Sequence, residues 1–391
     1  MPERNTMKKI QELQQVKGDA YDYYIAGNED TDLFEKIFLV DDIVEEICKP
    51  DKYFLIGEKG SGKTAYSVYM SKSDKINSFC SISLVENTLY QRFLNMKRQK
   101  ALELSSFKDV WINLIYLILA EKIRKEYGET FFSSIKYKQL SKAIDVFYSD
   151  AFKPEFVNAF EFVDNASASI NSMMKQGLFS TGTKASAETS QKYVEQSFQI
   201  SLLKIRDGFE KAFMSVNLKK PTILFVDGID ARPRDIDNEQ YFECLVGLVN
   251  AVLEMNQSFL KEKQIKIMLL IRPDIMYKMP VHNMNQKLRN NSVLLNWVTS
   301  YRKYIDSKLF KIADDYFMKQ QDYSYELGEC WNYYFPYKVE YQEKRKAPDN
   351  PFVEFLRYSL YKPRDILTML NEMVDACLLY TSPSPRDMRR S

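Results

Sequence analysis

Short apolar runs alternate with longer amphipathic stretches along most of the chain. The runs are bounded by turn-forming residues, and this pattern predicts buried β-strands. The predicted strands are residues 53–56, 78–84, 221–227, 265–272 and 292–297. The predicted helices between them are residues 65–70, 106–127 and 239–255. Strand followed by helix is typical of an α/β protein with a mainly parallel sheet, so a three-layer sandwich is expected.

Other parts of the chain depart from this alternation. Residues 128–219 have helical patterns and a stretch of small residues, which predicts a helical insertion with a loop at its tip. Residues 301–376 are also helical in pattern and predict a C-terminal helical lid region. Residues 1–30 are polar and predict an N-terminal arm, either a peripheral helix or a frayed segment. The central domain is therefore expected to span 31–300.

The last residues, 377–391, form a separate segment in this interpretation. They interrupt a helical pattern with a Ser/Pro-rich string that resembles one reading frame of a transposase-adapter oligonucleotide used to prepare sequencing libraries. We therefore leave this segment out of the fold prediction. The natural protein is then expected to continue beyond residue 376.

The first predicted strand leads into a glycine-rich pattern, Gly-x-x-x-x-Gly-Lys-Thr, and a helix is predicted directly after it. Glycines permit backbone conformations in which successive N–H groups converge on one anion, and the start of a helix adds its positive dipole end. Lys63 is predicted to reach the β- and γ-phosphates of a nucleotide, and the Thr64 hydroxyl to ligate Mg²⁺. The alternative is a chance match in a surface loop. The predicted phosphate-binding residues are Gly57, Glu58, Lys59, Gly60, Ser61, Gly62, Lys63, Thr64 and Ala65.

A second candidate site follows the third predicted strand, which is apolar and ends in Asp227. A carboxylate at the carboxyl edge of the sheet is suited to hold Mg²⁺ through water, so Asp227 is predicted as a metal-site and catalytic residue. Asp230 is the nearest further carboxylate and the candidate for positioning the attacking water. A loop-capping role for Asp230 is the alternative.

Three arginines are candidates for contact with phosphate groups. Arg272 ends an apolar strand, where it could sense a γ-phosphate or simply cap the strand. Arg289 precedes the last strand, where a trans-acting arginine finger of a homo-oligomer is expected. Arg364 opens the last helix and could reach the nucleotide from the lid region, or lie in a solvated helical turn capped by Asp365.

Composition narrows the function classes. Of 391 residues, 45% are hydrophobic and 28% charged, and the net charge is +2, so any nucleic-acid surface must be local. One stretch, residues 333–346, mixes aromatic and basic residues as proteins that bind single-stranded nucleic acid do, although the edge of a core beside a charged loop fits equally.

A single histidine argues against His-rich zinc sites and Ser-His-Asp triads. Five scattered cysteines without a Cys-x-x-Cys pair predict a cytoplasmic protein, and no apolar run is long enough to cross a membrane.

These motifs resemble bacterial P-loop ATPases of the AAA/STAND (additional-strand) kind, in particular a poorly characterised family linked to phage defence and to stand-alone regulatory ATPases. The residues that carry the resemblance are Gly57–Thr64, Ile223–Asp230, Arg272 and Lys362–Asp365. The resemblance implies a P-loop NTPase fold, ATP and Mg²⁺ as ligands, and a switch or remodelling activity; it implies no substrate.

The sequence departs from the family pattern after Asp227. Many additional-strand ATPases carry Glu at the next position to orient the attacking water, and Gly228 stands there in this chain. The Asp-Gly-Ile-Asp run is similar to the NACHT-type pattern, in which Glu follows, but Ala231 occupies that position. Efficient hydrolysis is therefore in question.

Several functions stay open. The first is an ATPase switch or remodeller, acting in antiviral defence or on nucleic acid; the second is a nucleotide-binding scaffold or sensor with little turnover. A nucleic-acid-dependent ATPase and a small-molecule kinase are further alternatives. The chain contains neither the Asn-Lys-x-Asp motif of common GTPases nor the Leu-Ser-Gly-Gly-Gln signature of ABC cassettes.

Overall fold

The computed structural model describes residues 7–25, 28–85, 107–132, 137–150, 202–229, 238–279, 288–339 and 349–381. Its strands are β1 (Phe54–Ile56), β2 (Phe79–Leu84), β3 (Thr222–Asp227), β4 (Ile265–Ile271) and β5 (Ser292–Leu294). Its longer helices are α1 (Tyr21–Ile25), α2 (Asn28–Ile37), α3 (Asp42–Cys48), α4 (Lys63–Lys72), α5 (Phe107–Phe132), α6 (Lys138–Asp150), α7 (Asn238–Asn256), α8 (Pro273–Lys278), α9 (Lys308–Met318), α10 (Glu329–Tyr334), α11 (Pro351–Ser359) and α12 (Pro363–Thr381). Residues 202–215 are also helical, and 3₁₀ turns occur at Ile10–Glu12 and Tyr301–Asp306.

The protein is an α/β protein with a five-stranded parallel sheet in the order β2-β3-β4-β1-β5. Every residue of β3 and β4 is buried, which is expected of central parallel strands and explains why their sequences are mainly apolar. This architecture is compatible with the predicted three-layer sandwich.

The register of the sheet aligns the strand ends. Ile56, the last residue of β1, pairs with Ile271, the last residue of β4, and Val226 of β3 pairs with Leu269. Because the strands are parallel, the carboxyl ends of β1, β4 and β3 lie on the same side of the sheet, and the chain leaves all three strands there. β4 separates β1 from the strand that ends in Asp227.

The described residues form two compact units. Unit 1 gathers those of Met1–Ile47, Gly57–Ser73 and Leu294–Ser391; unit 2 gathers those of Cys48–Ile56 and Asp74–Val293. The glycine-rich loop thus belongs to the same unit as the C-terminal helices. The domain boundaries expected from the sequence stay predictions.

In unit 2, α7 packs against α5 and against β4. The two helices approach closely at Gly247, where an added Cβ would lie 2.6 Å from Phe107 Cβ. Buried Asn256 ends α7 and binds both backbone groups of Ile267: its amide donates to the carbonyl (2.8 Å), and its carbonyl accepts from the N–H (2.9 Å). β1 pairs with β4 only from Leu269 onward, so this side chain satisfies backbone groups that β1 does not reach.

Unit 1 has an aromatic core around Trp331, which stacks on Phe335 with ring centroids 4.2 Å apart. Fully buried Asp314 accepts hydrogen bonds from the backbone N–H groups of Gly328 (2.7 Å) and Trp331 (2.8 Å) at the start of α10. Burial raises the pKa of this carboxyl. The acid therefore acts as a cap for a short helix within the core.

The N-terminal arm belongs to this core. Instead of the expected peripheral helix or frayed segment, residues 7–17 form an irregular segment with a single 3₁₀ turn. Met7, Leu13 and Val16 are buried. The Asn371 side chain accepts from the Val16 N–H (3.2 Å) and donates to its carbonyl (2.7 Å), so the arm is fixed by long-range contacts.

Candidate functional site

The loop between β1 and α4 has the backbone geometry that its glycines predict. Gly60 (φ 84°) and Gly62 (φ 94°) both adopt left-handed conformations. α4 begins at Lys63, and its N-cap residue, Gly62, offers no side chain to cap the helix. The first N–H groups of α4 lie at the positive end of the helix dipole. This arrangement suits an anion.

The Lys63 side chain folds back onto this loop. Its ammonium donates to the carbonyl oxygens of Gly57 (2.8 Å) and Glu58 (3.2 Å). Only 7% of the residue is exposed, so the charge is held inside the curve of the loop. An anion in the loop would meet both the ammonium and the helix N-terminus.

Ser61 gives a second indication that the loop accepts a ligand. Its residue is 3% exposed, and its Oγ has no hydrogen-bond partner among the described residues. A Cβ on Gly57 would lie 2.3 Å from that Oγ, so a side chain at position 57 would require the Ser61 hydroxyl to move. The Ser61 carbonyl accepts from Trp297 Nε1 (2.9 Å), which fixes this part of the loop. A buried hydroxyl without a partner is costly unless a ligand or water satisfies it.

The start of α12 lies on the other side of the loop. The Arg364 N–H donates to the Gly60 carbonyl (3.3 Å), and its guanidinium lies 3.2 Å from where a Cβ on Gly60 would be. Lys362 Nζ lies 3.7 Å from a Glu58 carboxylate oxygen. Two cations from the C-terminal helices thus contact the loop. Arg364 was predicted as a nucleotide contact, and that role stays a prediction; Lys362 was named only as part of the Lys362–Asp365 motif, and Trp297 only as the end of the last predicted strand.

The helix after the loop is anchored within unit 1. Thr64 and Ala65 are half-buried in its first turn. One turn on, the Tyr66 hydroxyl donates to Asp41 Oδ1 (2.9 Å), and Lys308 Nζ lies 2.8 Å from Asp41 Oδ2. Burial, with Asp41 next to the hydroxyl, raises the pKa of Tyr66 well above its usual value. The position of α4 therefore depends on the polar contacts that join Tyr66, Asp41 and Lys308, as well as on apolar packing.

Asp227 lies at the end of β3 and is 7% exposed. Its Oδ1 accepts from the Gly228 N–H (2.7 Å), and its carbonyl accepts from the Val85 N–H (2.8 Å). Gly228 has a φ of 85°, and a Cβ there would lie 2.9 Å from the Val85 carbonyl oxygen. Backbone conformation and space therefore both require glycine directly after the acid.

Three further residues were predicted to act in catalysis or sensing: Arg272, Arg289 and Asp230. The Arg272 guanidinium forms two hydrogen bonds to Asp274, of 2.9 and 2.8 Å, within its own turn. Arg289 is exposed, and its carbonyl accepts from the Ser292 hydroxyl (3.2 Å). Asp230 lies outside the described residues. The catalytic and sensing roles of these three residues stay predictions.

The aromatic and basic stretch is partly core. Phe335 is buried and Tyr334 packs against the same core, whereas Tyr333 and Tyr337 are exposed. Of the basic residues, Lys338 is exposed, and Lys344, Arg345 and Lys346 lie outside the described residues.

Comparison with known proteins gives no match: no family model, curated protein or solved structure matches this chain. Among the described residues, no group of three or more His, Cys, Asp or Glu side chains is arranged to hold a metal ion. Within the same ranges, no helix combines the length and the apolar character needed to cross a membrane.

Proposed function

We propose that the chain is a P-loop ATPase: it binds ATP at Gly57–Thr64 and hydrolyses it to drive a conformational switch or remodelling step. The observation that carries the proposal is the loop itself, which combines two left-handed glycines, a helix N-terminus and the buried Lys63 ammonium. Backbone N–H groups and an ammonium are the donors that bind nucleotide phosphates.

The sheet supports the same class. β4 lies between β1, which leads into the loop, and β3, which ends in Asp227. An extra strand between those two is the feature that names the additional-strand ATPases, the AAA/STAND kind that the motifs resemble. Arg272 follows β4 directly, where a γ-phosphate sensor is proposed.

Mg²⁺ is the metal expected with ATP. Thr64 and Asp227 are the residues proposed to hold it, since hydroxyl and carboxylate oxygens are the donors that Mg²⁺ prefers. When bound, the ion would neutralise charge on the phosphates.

The switch is proposed to involve α12. Its first turn contacts the loop through Arg364 and Lys362. Phosphates in the loop would attract both cations, so nucleotide binding and loss are expected to change how α12 is held.

A nucleotide-binding scaffold with little turnover is the second candidate, and Gly228 favours it. Because a side chain at this position would meet the Val85 backbone, the acid that many related enzymes place there is excluded. Asp230 is the proposed substitute.

ATP binding and single-turnover hydrolysis test these proposals. We expect binding of Mg·ATP by calorimetry and a hydrolysis rate that falls with Asp227→Asn and with Asp230→Ala. A rate below about 0.01 s⁻¹ in the unaltered protein would favour the scaffold. An unchanged rate in Asp230→Ala would remove that residue from the mechanism, and absence of ATP binding would overturn both candidates.

A further inference from the structure

The segment after β5 packs against the glycine-rich loop with alternate side chains. Leu295 is buried and Trp297 half-buried, whereas the residues on either side of each are exposed. Leu295 lies beside Gly57, where an added Cβ would be 3.1 Å from Leu295 Cβ. The Trp297 indole N–H donates to the Ser61 carbonyl (2.9 Å), and its ring packs against the aromatic core of unit 1. Trp297 thus joins the backbone of the loop to that core.

The hydrogen bond from Trp297 fixes the direction of one peptide group of the loop. In a planar trans peptide, the C=O and the N–H that follows it point in opposite directions. Because the Ser61 carbonyl is held toward the indole, the Gly62 N–H points away from it. That N–H has no hydrogen-bond acceptor among the described residues. It is a backbone donor of the kind that binds anions in glycine-rich loops.

Steric contacts at Gly62 do not fix this peptide. Gly62 has no Cβ, and an added Cβ would have no heavy atom within 4 Å, so rotation of the peptide meets little resistance there. The peptide groups on either side are held by other hydrogen bonds. The Ser61 N–H donates to the Glu58 carbonyl (3.1 Å), and the Gly62 carbonyl accepts from the Tyr66 N–H (3.0 Å). The hydrogen bond from Trp297 supplies the restraint for the peptide between them.

We propose that Trp297 is a positioning residue that regulates phosphate binding in the loop: it holds the Ser61–Gly62 peptide so that the Gly62 N–H donates to the bound phosphate. This inference rests on the ATP site proposed above. The buried Ser61 Oγ, which lacks a partner among the described residues, belongs to the same residue that Trp297 holds. A donor that is fixed before the ligand arrives costs less to order on binding. Movement of the indole is therefore expected to lower phosphate affinity without any change of charge.

Two tryptophan substitutions test the proposal. Trp297→Phe removes the indole N–H and keeps an aromatic ring against the core. Trp331→Phe is the matched control, since the Trp331 indole also donates a hydrogen bond in unit 1, to Asn350 Oδ1 (3.0 Å). Calorimetry on the full-length proteins measures binding of Mg·ATP and of tripolyphosphate. We expect Trp297→Phe to weaken both by about fivefold, the effect of one hydrogen bond, and Trp331→Phe to change them by less than about twofold.

The Gly62 amide can also be observed directly. Ser61–Gly62 is the only Ser-Gly pair in the sequence, so cell-free synthesis with carbonyl-¹³C serine and ¹⁵N glycine selects this one amide in an NMR spectrum. In the ligand-free protein, Trp297→Phe should shift or broaden its signal and Trp331→Phe should not. In the unaltered protein, tripolyphosphate should move the signal, and an unmoved signal despite binding would overturn the proposal without recourse to any variant.

The outcomes separate this proposal from the ATP site. An unshifted Gly62 signal in Trp297→Phe, or equal weakening of binding by the two tryptophan changes, would overturn the role of Trp297 and leave the ATP site unaffected. Failure of the unaltered protein to bind either ligand would overturn both. Tripolyphosphate binding that weakens in Trp297→Phe, without any ATP binding, would support Trp297 and sink the ATPase. Circular dichroism checks folding, and Tyr316→Phe, which loses a hydroxyl bound to Asn371 (3.1 Å), replaces the control if that variant unfolds.

Discussion

Two lysines of this protein are almost equally buried and yet differ in what surrounds them. Lys63 in unit 1 is 7% exposed and Lys266 in unit 2 is 8% exposed. Each ammonium donates to a backbone carbonyl at 2.8 Å, that of Gly57 for Lys63 and that of Lys49 for Lys266.

The backbone distinguishes them. Lys63 follows two left-handed glycines and is the first residue of α4. Lys266 lies within the wholly buried β4, and burial lowers its pKa to about 8. Burial with a carbonyl partner therefore does not by itself identify a ligand-binding lysine. The ligand role proposed for Lys63 rests on its place in a glycine-rich loop at the start of a helix.

The largest expected effect is on ATP binding by Lys63→Ala. Removing a buried cation from a charged contact costs about 2–5 kcal/mol, so ATP affinity should fall by about 30-fold or more. Lys303→Ala, an exposed change outside the loop but in the same unit, should alter it by less than about threefold. Calorimetry with Mg·ATP measures both. Equal effects of the two changes would remove the distinction drawn for Lys63.

The second effect concerns Lys266 and stability. Because its folded-state pKa of about 8 lies below the usual 10.5, the unfolded chain holds more protons between these values, and stability rises with pH there. Between about pH 7 and 9.5 this group should add about 2 kcal/mol to the free energy of unfolding. Lys266→Met should lack that rise and keep its ATP affinity. Urea unfolding at several pH values measures this, and parallel curves for the two proteins would contradict it.

The smallest effect is expected at Arg364. Its guanidinium is 44% exposed beside Gly60, so Arg364→Ala should weaken ATP binding by only about fivefold, or about 1 kcal/mol. Arg302→Ala, an exposed arginine of the same unit, is the matched control and should have no effect. If the two variants bind ATP alike, Arg364 contacts the loop without serving the ligand.

Contiguous patterns account for what could be predicted from the sequence. The predicted run 221–227 corresponds to β3, and 265–272 to β4, because a strand buried on both faces needs an unbroken apolar run. The last strand ends at Leu294, three residues before its predicted end. The glycine pattern gave the loop conformation because positive φ angles restrict residue choice.

Contacts between distant segments could not be predicted. The pairing of Glu58 with Lys362 joins residues with no shared local pattern. The irregular arm is fixed by side chains such as Asn371, so local helix propensity was a poor guide there.

Gly228 limits how the proposed ATP hydrolysis could be made faster by design. Replacing Gly228 with Asp or Glu would place a Cβ against the Val85 carbonyl oxygen. It would also hold an L-residue at a positive φ that such residues avoid. A single substitution at position 228 therefore cannot supply the acid that the additional-strand ATPases resembled by the motifs carry there. The end of β2 would have to be rebuilt at the same time.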